Sequence, residues 1–124
     1  MRRLFFVLPL LGMAGTGAMA DGDAVKGEKV FMKCKACHTA EQPTNRVGPT
    51  LKGVVGRKVA AVESYNYSNA MKKKGEEGVT WDEGNLAIYL ADPKTFVPGT
   101  KMAFAGLKKP TEVADLIAYL KTKQ

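Results

Sequence analysis

The chain has 124 residues, 45% hydrophobic and 25% charged, with a formal charge of +7, two cysteines and a single histidine. That length excludes more than one small domain and limits the core it can bury. The basic balance points to acidic proteins, anionic lipid or nucleic acid as partners, and one histidine excludes any site built from two imidazoles of the same molecule.

Residues 1–20 read as a cleaved secretory signal peptide. Arg2 and Arg3 open it, Leu4 to Leu11 form an apolar stretch, and Ala18-Met19-Ala20 supplies a small-residue cleavage site. The stretch is too short for a stable membrane-spanning helix, and an uncleaved anchor is the alternative. Cleavage leaves one domain, residues 21–124, with a charge of +5 because all twelve acids lie there. Export predicts a periplasmic protein and argues against nucleic acid as its partner.

Asp23 predicts the cap of a first helix, whose inward face carries Gly27, Val30, Phe31 and Cys34 at helical spacing. Cys34-Lys35-Ala36-Cys37-His38 follows, and C-x-x-C-H is the attachment signature of a c-type haem. On a helical turn the two thiols are neighbours, with Cβ atoms about 5–6 Å apart. They can therefore bond the vinyl-derived carbons on one side of a porphyrin while His38 ligates its iron. From Thr39 to Tyr67 the chain is rich in Gly, Pro, Asn and Thr and shows no sustained strand alternation. A loop that long argues against a compact domain unless a ligand fills its centre, and haem would do so.

Ser68 predicts the cap of a short basic helix ending at Gly75. Thr80-Trp81-Asp82-Glu83 matches a capping box opening a helix with Leu86, Tyr89 and Leu90 inward and Pro93 as its limit. Val97 to Lys109 reads as another loop, turning at Pro98-Gly99. Thr111 starts the terminal helix, with Val113, Leu116, Ile117 and Leu120 on one face. The sum is an all-α chain: helices at both ends, a pair in the middle and long loops between.

A second iron ligand must come from elsewhere. Of the mature methionines, Met32 lies too close to Cys34 to cross to the opposite face, and Met71 sits in the basic helix as a core filler. Met102, in the loop after Pro98-Gly99-Thr100-Lys101, is the choice by elimination; a methionine that only packs is the alternative. His/Met ligation raises the reduction potential and leaves no open position for oxygen or substrate. Electron transfer, rather than enzymatic chemistry, is the expected activity.

The chain resembles class I cytochrome c, in its short cytochrome c2 and mitochondrial-type group, over nearly all of residues 21–123. The blocks that carry the resemblance are the haem motif, Val47-Gly48-Pro49-Thr50-Leu51, Gly53-Val54-Val55-Gly56-Arg57-Lys58, Tyr65-Asn66-Tyr67-Ser68, Thr80-Trp81, Pro98 to Gly106 and Asp115 to Lys121. The resemblance implies the cytochrome c fold, with terminal helices crossing, Gly27 allowing close approach, and Phe31, Leu116 and Tyr119 packed at the crossing. It implies one haem c, covalently bound through Cys34 and Cys37, with iron between His38 and Met102. It also implies that the Pro49 carbonyl accepts from His38, and that Arg57, Tyr67, Trp81 and Thr100 hold the haem propionates. Tyr89 would lie near the methionine sulfur, and Phe104 beside the exposed haem edge. Glu76-Glu77 looks like an insertion, and Met71 stands where mitochondrial relatives commonly carry asparagine.

Lys33, Lys35, Lys52, Lys94, Lys101, Lys108 and Lys109 resemble the family's lysine ring, which steers docking to acidic partners; Lys72-Lys73-Lys74 reads as a solvated helix face. By resemblance the protein is a monomeric carrier. Its donor is a cytochrome bc1 complex and its acceptor is cytochrome c oxidase, a photosynthetic reaction centre, or both. Three other readings compete: a thiol–disulfide pair, which lacks a βαβ setting; a zinc site, which lacks a fourth soft ligand; and a haem sensor or peroxidase-like protein with a displaceable methionine.

Overall fold

The computed structural model describes residues 21–124, so the expected signal peptide lies outside the described residues. Five helices run in order: α1 (Ala24–Phe31), α2 (Asn69–Glu76), α3 (Glu83–Ala91), α4 (Pro93–Phe96) and α5 (Pro110–Lys121). Among the described residues the β structure is confined to one isolated antiparallel bridge, Lys58 to Thr80. The architecture is all-α.

Among the described helices, α1 and α5 make the most extensive contact. Asp23 caps α1 by accepting from the Val25 and Lys26 amides, and the Asp23 amide donates to the Asp115 carboxylate at 2.8 Å. A methyl group on Gly27 would overlap the Asp115 carbonyl, so only glycine admits α5 at this distance. Phe31 and Tyr119 stack there with ring centroids 5.2 Å apart, and Leu116 is 1% exposed beneath them. Each such burial is worth about 1.5–3 kcal/mol. The exposed Lys33–Glu112 pair on the same seam, at 3.2 Å, contributes at most about 1 kcal/mol. Packing therefore decides this interface.

Several boundaries differ from the sequence expectation. α5 begins at Pro110, not Thr111, because proline suits the first helical position. α2 runs one residue past Gly75 and is capped by Ser68 as expected. Thr80 does not cap α3. It is held in the bridge to Lys58, with Val59 donating to Val79 at 3.0 Å and Trp81 to Arg57 at 2.8 Å, and Asp82 accepts from the Asn85 amide instead. α4, which the sequence pattern does not predict, is one turn between Pro93 and Phe96 with Asp92 as its cap.

The segments 39–67 and 97–109 carry no helix. Val97 to Thr100 forms the expected turn, with the Thr100 amide donating to Val97 at 3.0 Å and Gly99 at φ +89°. The core nevertheless draws on both loops: Ala40, Val54, Val59, Val97 and Leu107 are buried with α3 and α5. Lys74 is not merely solvated, since its ammonium lies 4.9 Å from the Phe96 ring centroid.

Candidate functional site

Cys34, Cys37 and His38 lie just beyond α1, on a turn that stays helical in its hydrogen bonds. The Cys37 and His38 amides both donate to the Cys34 carbonyl, at 3.1 and 2.9 Å. This places the two half-buried thiols on one side of the turn, the i, i+3 relation the motif requires. Burial pushes the Cys34 thiol up and Lys33 partly opposes it.

The loop opposite is laced to this turn by its backbone. Gly48 donates to Cys37 at 2.8 Å and Leu51 to Thr39 at 2.8 Å. Between those bonds, the Pro49 carbonyl lies 2.8 Å from His38 Nδ1. Gly48 lies against the face of the imidazole, where a Cβ would overlap ring atom Cε1. Burial lowers the His38 pKa, favouring the neutral ring, and the Pro49 hydrogen bond opposes that shift. With Nδ1 donating to Pro49, Nε2 is left free as a ligand.

Met102 is half-buried on the Val97–Lys109 loop. Its amide donates to the Thr100 hydroxyl at 3.2 Å, and the Tyr89 hydroxyl reaches its sulfur at 3.5 Å. Burial pushes the Tyr89 phenol up to about 12, with the Thr100 hydroxyl pulling the other way, so at neutral pH it remains a donor. Trp81, Tyr89 and Phe96 form an aromatic cluster behind this loop, with centroids 4.7 to 6.0 Å apart. Phe104 packs half-buried on the same core.

Arg57 and Tyr67 form a third group. The guanidinium donates to the Thr50 carbonyl at 3.0 Å and the Lys52 carbonyl at 3.3 Å, and the Tyr67 hydroxyl accepts from Val62 at 3.1 Å. Burial lowers the Arg57 pKa and raises that of Tyr67. Among the described residues no carboxylate pairs with Arg57. A half-buried cation held only by carbonyls is suited to an anionic group of a ligand. Of the four residues expected at the propionates, Trp81 is joined to Arg57 by a backbone hydrogen bond and Tyr67 acts electrostatically on the Arg57 guanidinium, whereas the Thr100 hydroxyl accepts from the Met102 amide.

The donor set therefore fits a haem c: paired thiols on one turn, an oriented imidazole, a soft sulfur under a phenol, and a cation without a protein counter-ion. Among the described residues, no three His, Cys, Asp or Glu side chains cluster as a metal site. Among the described residues no βαβ unit surrounds Cys34, which is the setting the thiol–disulfide reading requires. Residues that the sequence reading did not single out are Asn45 and Ser64, joined at 2.9 Å within the 39–67 segment. No local pattern marks them, because the partners of Asn45 lie 5 and 19 positions away.

The family model described as cytochrome c matches residues 24–124. A cytochrome c2 of Agrobacterium tumefaciens is 50% identical over 101 residues, covering 81% of this chain and 91% of that protein. A cytochrome c2 of Rhodomicrobium vannielii is 52% identical over 108 residues, covering 86% and 83%. The solved structure of cytochrome cH from Methylobacterium extorquens aligns with a TM-score of 0.75 at 56% identity, covering 82% of this chain and 100% of that one.

Proposed function

The chain belongs to the cytochrome c family, whose members carry electrons, and from that premise we propose that it shuttles single electrons in the periplasm from a cytochrome bc1 complex to a terminal oxidase or a photosynthetic reaction centre. Its cofactor is one haem c on Cys34 and Cys37, which when bound supplies a one-electron ferrous–ferric couple. In this reading His38, through Nε2, and Met102, through its sulfur, would hold the iron. The observation that supports it most directly is the 2.8 Å contact of His38 Nδ1 with the Pro49 carbonyl, which leaves Nε2 free.

The chain's own residues then do three things. Pro49 and Gly48 hold the imidazole in one orientation, so little has to move when the charge on the site changes. Trp81, Tyr89 and Phe96 exclude water behind Met102 and favour the less charged state. Arg57, with Tyr67 beside it, offsets the anionic edge of the cofactor. Lys35, Lys52, Lys94, Lys101 and Lys109 are exposed and steer the encounter; Lys33 and Lys108 share their charge with Glu112 and the Ala105 carbonyl. The phenol on the Met102 sulfur weighs against the sensor or peroxidase reading, which needs that ligand to leave.

The ferric protein should show a weak near-infrared sulfur–iron band. Met102→Ala should abolish it and lower the potential, and persistence of the band would overturn the ligand assignment. Carbon monoxide binding to the native ferrous protein at neutral pH would favour the sensor reading. Reduction by a bc1 complex should slow as ionic strength rises; a rate independent of salt would remove the steering role. Export predicts a mature N-terminus at Asp21, read by mass spectrometry.

A further inference from the structure

The Pro49–Thr50 peptide is gripped at both ends. Its carbonyl lies 2.8 Å from His38 Nδ1, and its N–H donates to Asn45 Oδ1 at 3.0 Å. A trans peptide is planar and conjugated, with the two groups pointing in opposite directions. Asn45, Pro49–Thr50 and His38 thus form one hydrogen-bonded chain through a single amide. The orientation of the Asn45 amide is fixed by its surroundings: the Thr50 N–H demands the oxygen, and the nitrogen then donates to Ser64 Oγ at 2.9 Å. Thr50 is 7% exposed, and its other polar atoms are occupied. Its hydroxyl donates to the Gln42 carbonyl at 2.5 Å and accepts from Lys52 at 3.1 Å, while its carbonyl accepts from Arg57. The peptide cannot tilt without breaking several of these bonds.

We propose that Asn45 is a positioning residue for the iron-ligating His38, acting through the Pro49–Thr50 peptide. The inference rests on the reading of His38 as an axial ligand and adds a residue that neither touches the histidine nor belongs to its motif. Accepting the Thr50 N–H draws electron density toward the Pro49 oxygen, since hydrogen bonds in a chain polarise one another. A more negative carbonyl accepts more strongly from Nδ1–H and gives the ring more imidazolate character. That makes it a stronger donor through Nε2. A stronger nitrogen donor stabilises the ferric state and lowers the potential, one of the levers a protein holds over haem iron. Asn45 therefore sets the electron-donating power of His38 from two hydrogen bonds away, and Ser64 fixes the amide that does so.

The test uses the haem-loaded protein and three variants: Asn45→Ala, Asn45→Asp and Ser64→Ala. The readouts are the proton and nitrogen shifts of His38 Nδ1–H in the ferrous state, the exchange rate of that proton with solvent, and the reduction potential. Asn45→Ala should move the proton upfield, speed its exchange and raise the potential. Asn45→Asp keeps an acceptor and strengthens it, so the proton should move downfield and the potential fall below wild type. Ser64→Ala leaves the Thr50 bond in place and should shift the proton least of the three. If Asn45→Ala lowers only the unfolding midpoint and leaves the His38 proton where it is, Asn45 is a loop staple and the proposal is wrong. It is equally wrong if Ser64→Ala moves that proton as far as Asn45→Ala does. Should Asn45→Ala fail to fold, the opposite-signed shift expected of Asn45→Asp still decides the matter. Failure of the ligand reading itself would be seen in the wild type, as His38 ring protons without strong haem ring-current shifts.

Discussion

A methyl group on Gly48 would overlap the His38 ring, and one on Gly27 would overlap the Asp115 carbonyl. The same substitution therefore tests two different parts of the molecule. Gly27→Ala must push α1 and α5 apart, because the obstacle is backbone and cannot rotate away. It should cost about 1–3 kcal/mol, the usual range for overpacking, in urea unfolding of the haem-loaded protein, with an unchanged visible spectrum. Gly48→Ala should instead displace His38 from Pro49 and alter the ferrous spectrum and potential, even where thioether attachment is complete. Wild-type stability for the first variant, or a wild-type spectrum for the second, would show that these contacts do not set what is assigned to them. Residues of this kind differ in how visible they are in a sequence. Cys34, Cys37 and His38 are adjacent, so their spacing states their chemistry. Asn45 is invisible, since its importance comes from a peptide that belongs to another residue pair.

Helix ends show where local pattern fails and why. Thr80 and Glu83 have the spacing of a capping box, yet Thr80 is held by a partner 22 positions earlier, Lys58. No local pattern could reveal that pairing. Asp82, two residues on, takes the cap. Asp82→Ala should therefore cost about 1 kcal/mol, whereas Thr80→Ala should cost little through the helix; the reverse order in chemical denaturation would restore Thr80 as the cap. α4 escapes the pattern for a related reason, because four residues offer no periodicity, only a proline and an aspartate. Asp92 gives that turn a pH dependence. Its carboxylate accepts from the Thr95 hydroxyl at 2.7 Å, and this bond holds its pKa below the ordinary carboxylate value. A folded-state pKa lowered in this way adds stability above the unfolded carboxylate value, about 3.9. That contribution is lost as pH falls through the still lower folded value. Thermal melts of wild type and Asp92→Asn should thus differ above the unfolded carboxylate value and converge as the pH falls through the lower folded one. A gap that instead widened in acid would contradict the assigned role.

At the scale of the whole molecule, the loops pose the question that the helices do not answer. The all-α class and the terminal helices are legible because their apolar faces repeat at helical spacing. The loop paths are not, because a chain that wraps a ligand takes its shape from the ligand. Ordering the backbone of residues 39–67 costs conformational entropy at every residue. The fully buried apolar side chains this segment contributes are Ala40, Val54 and Val59, with Leu51, Val55 and Ala60 partly buried against the core. A large apolar group at the centre would offset much of that ordering cost. Protein made without haem attachment should therefore lack a cooperative thermal transition and lose most of its far-ultraviolet helical signal, α1 and α5 included, since their seam alone is too small to stand. A haem-free chain that stayed compact and melted cooperatively would mean that α1, α3 and α5 suffice. The long loops would then be passengers on a helical core rather than the walls of a site.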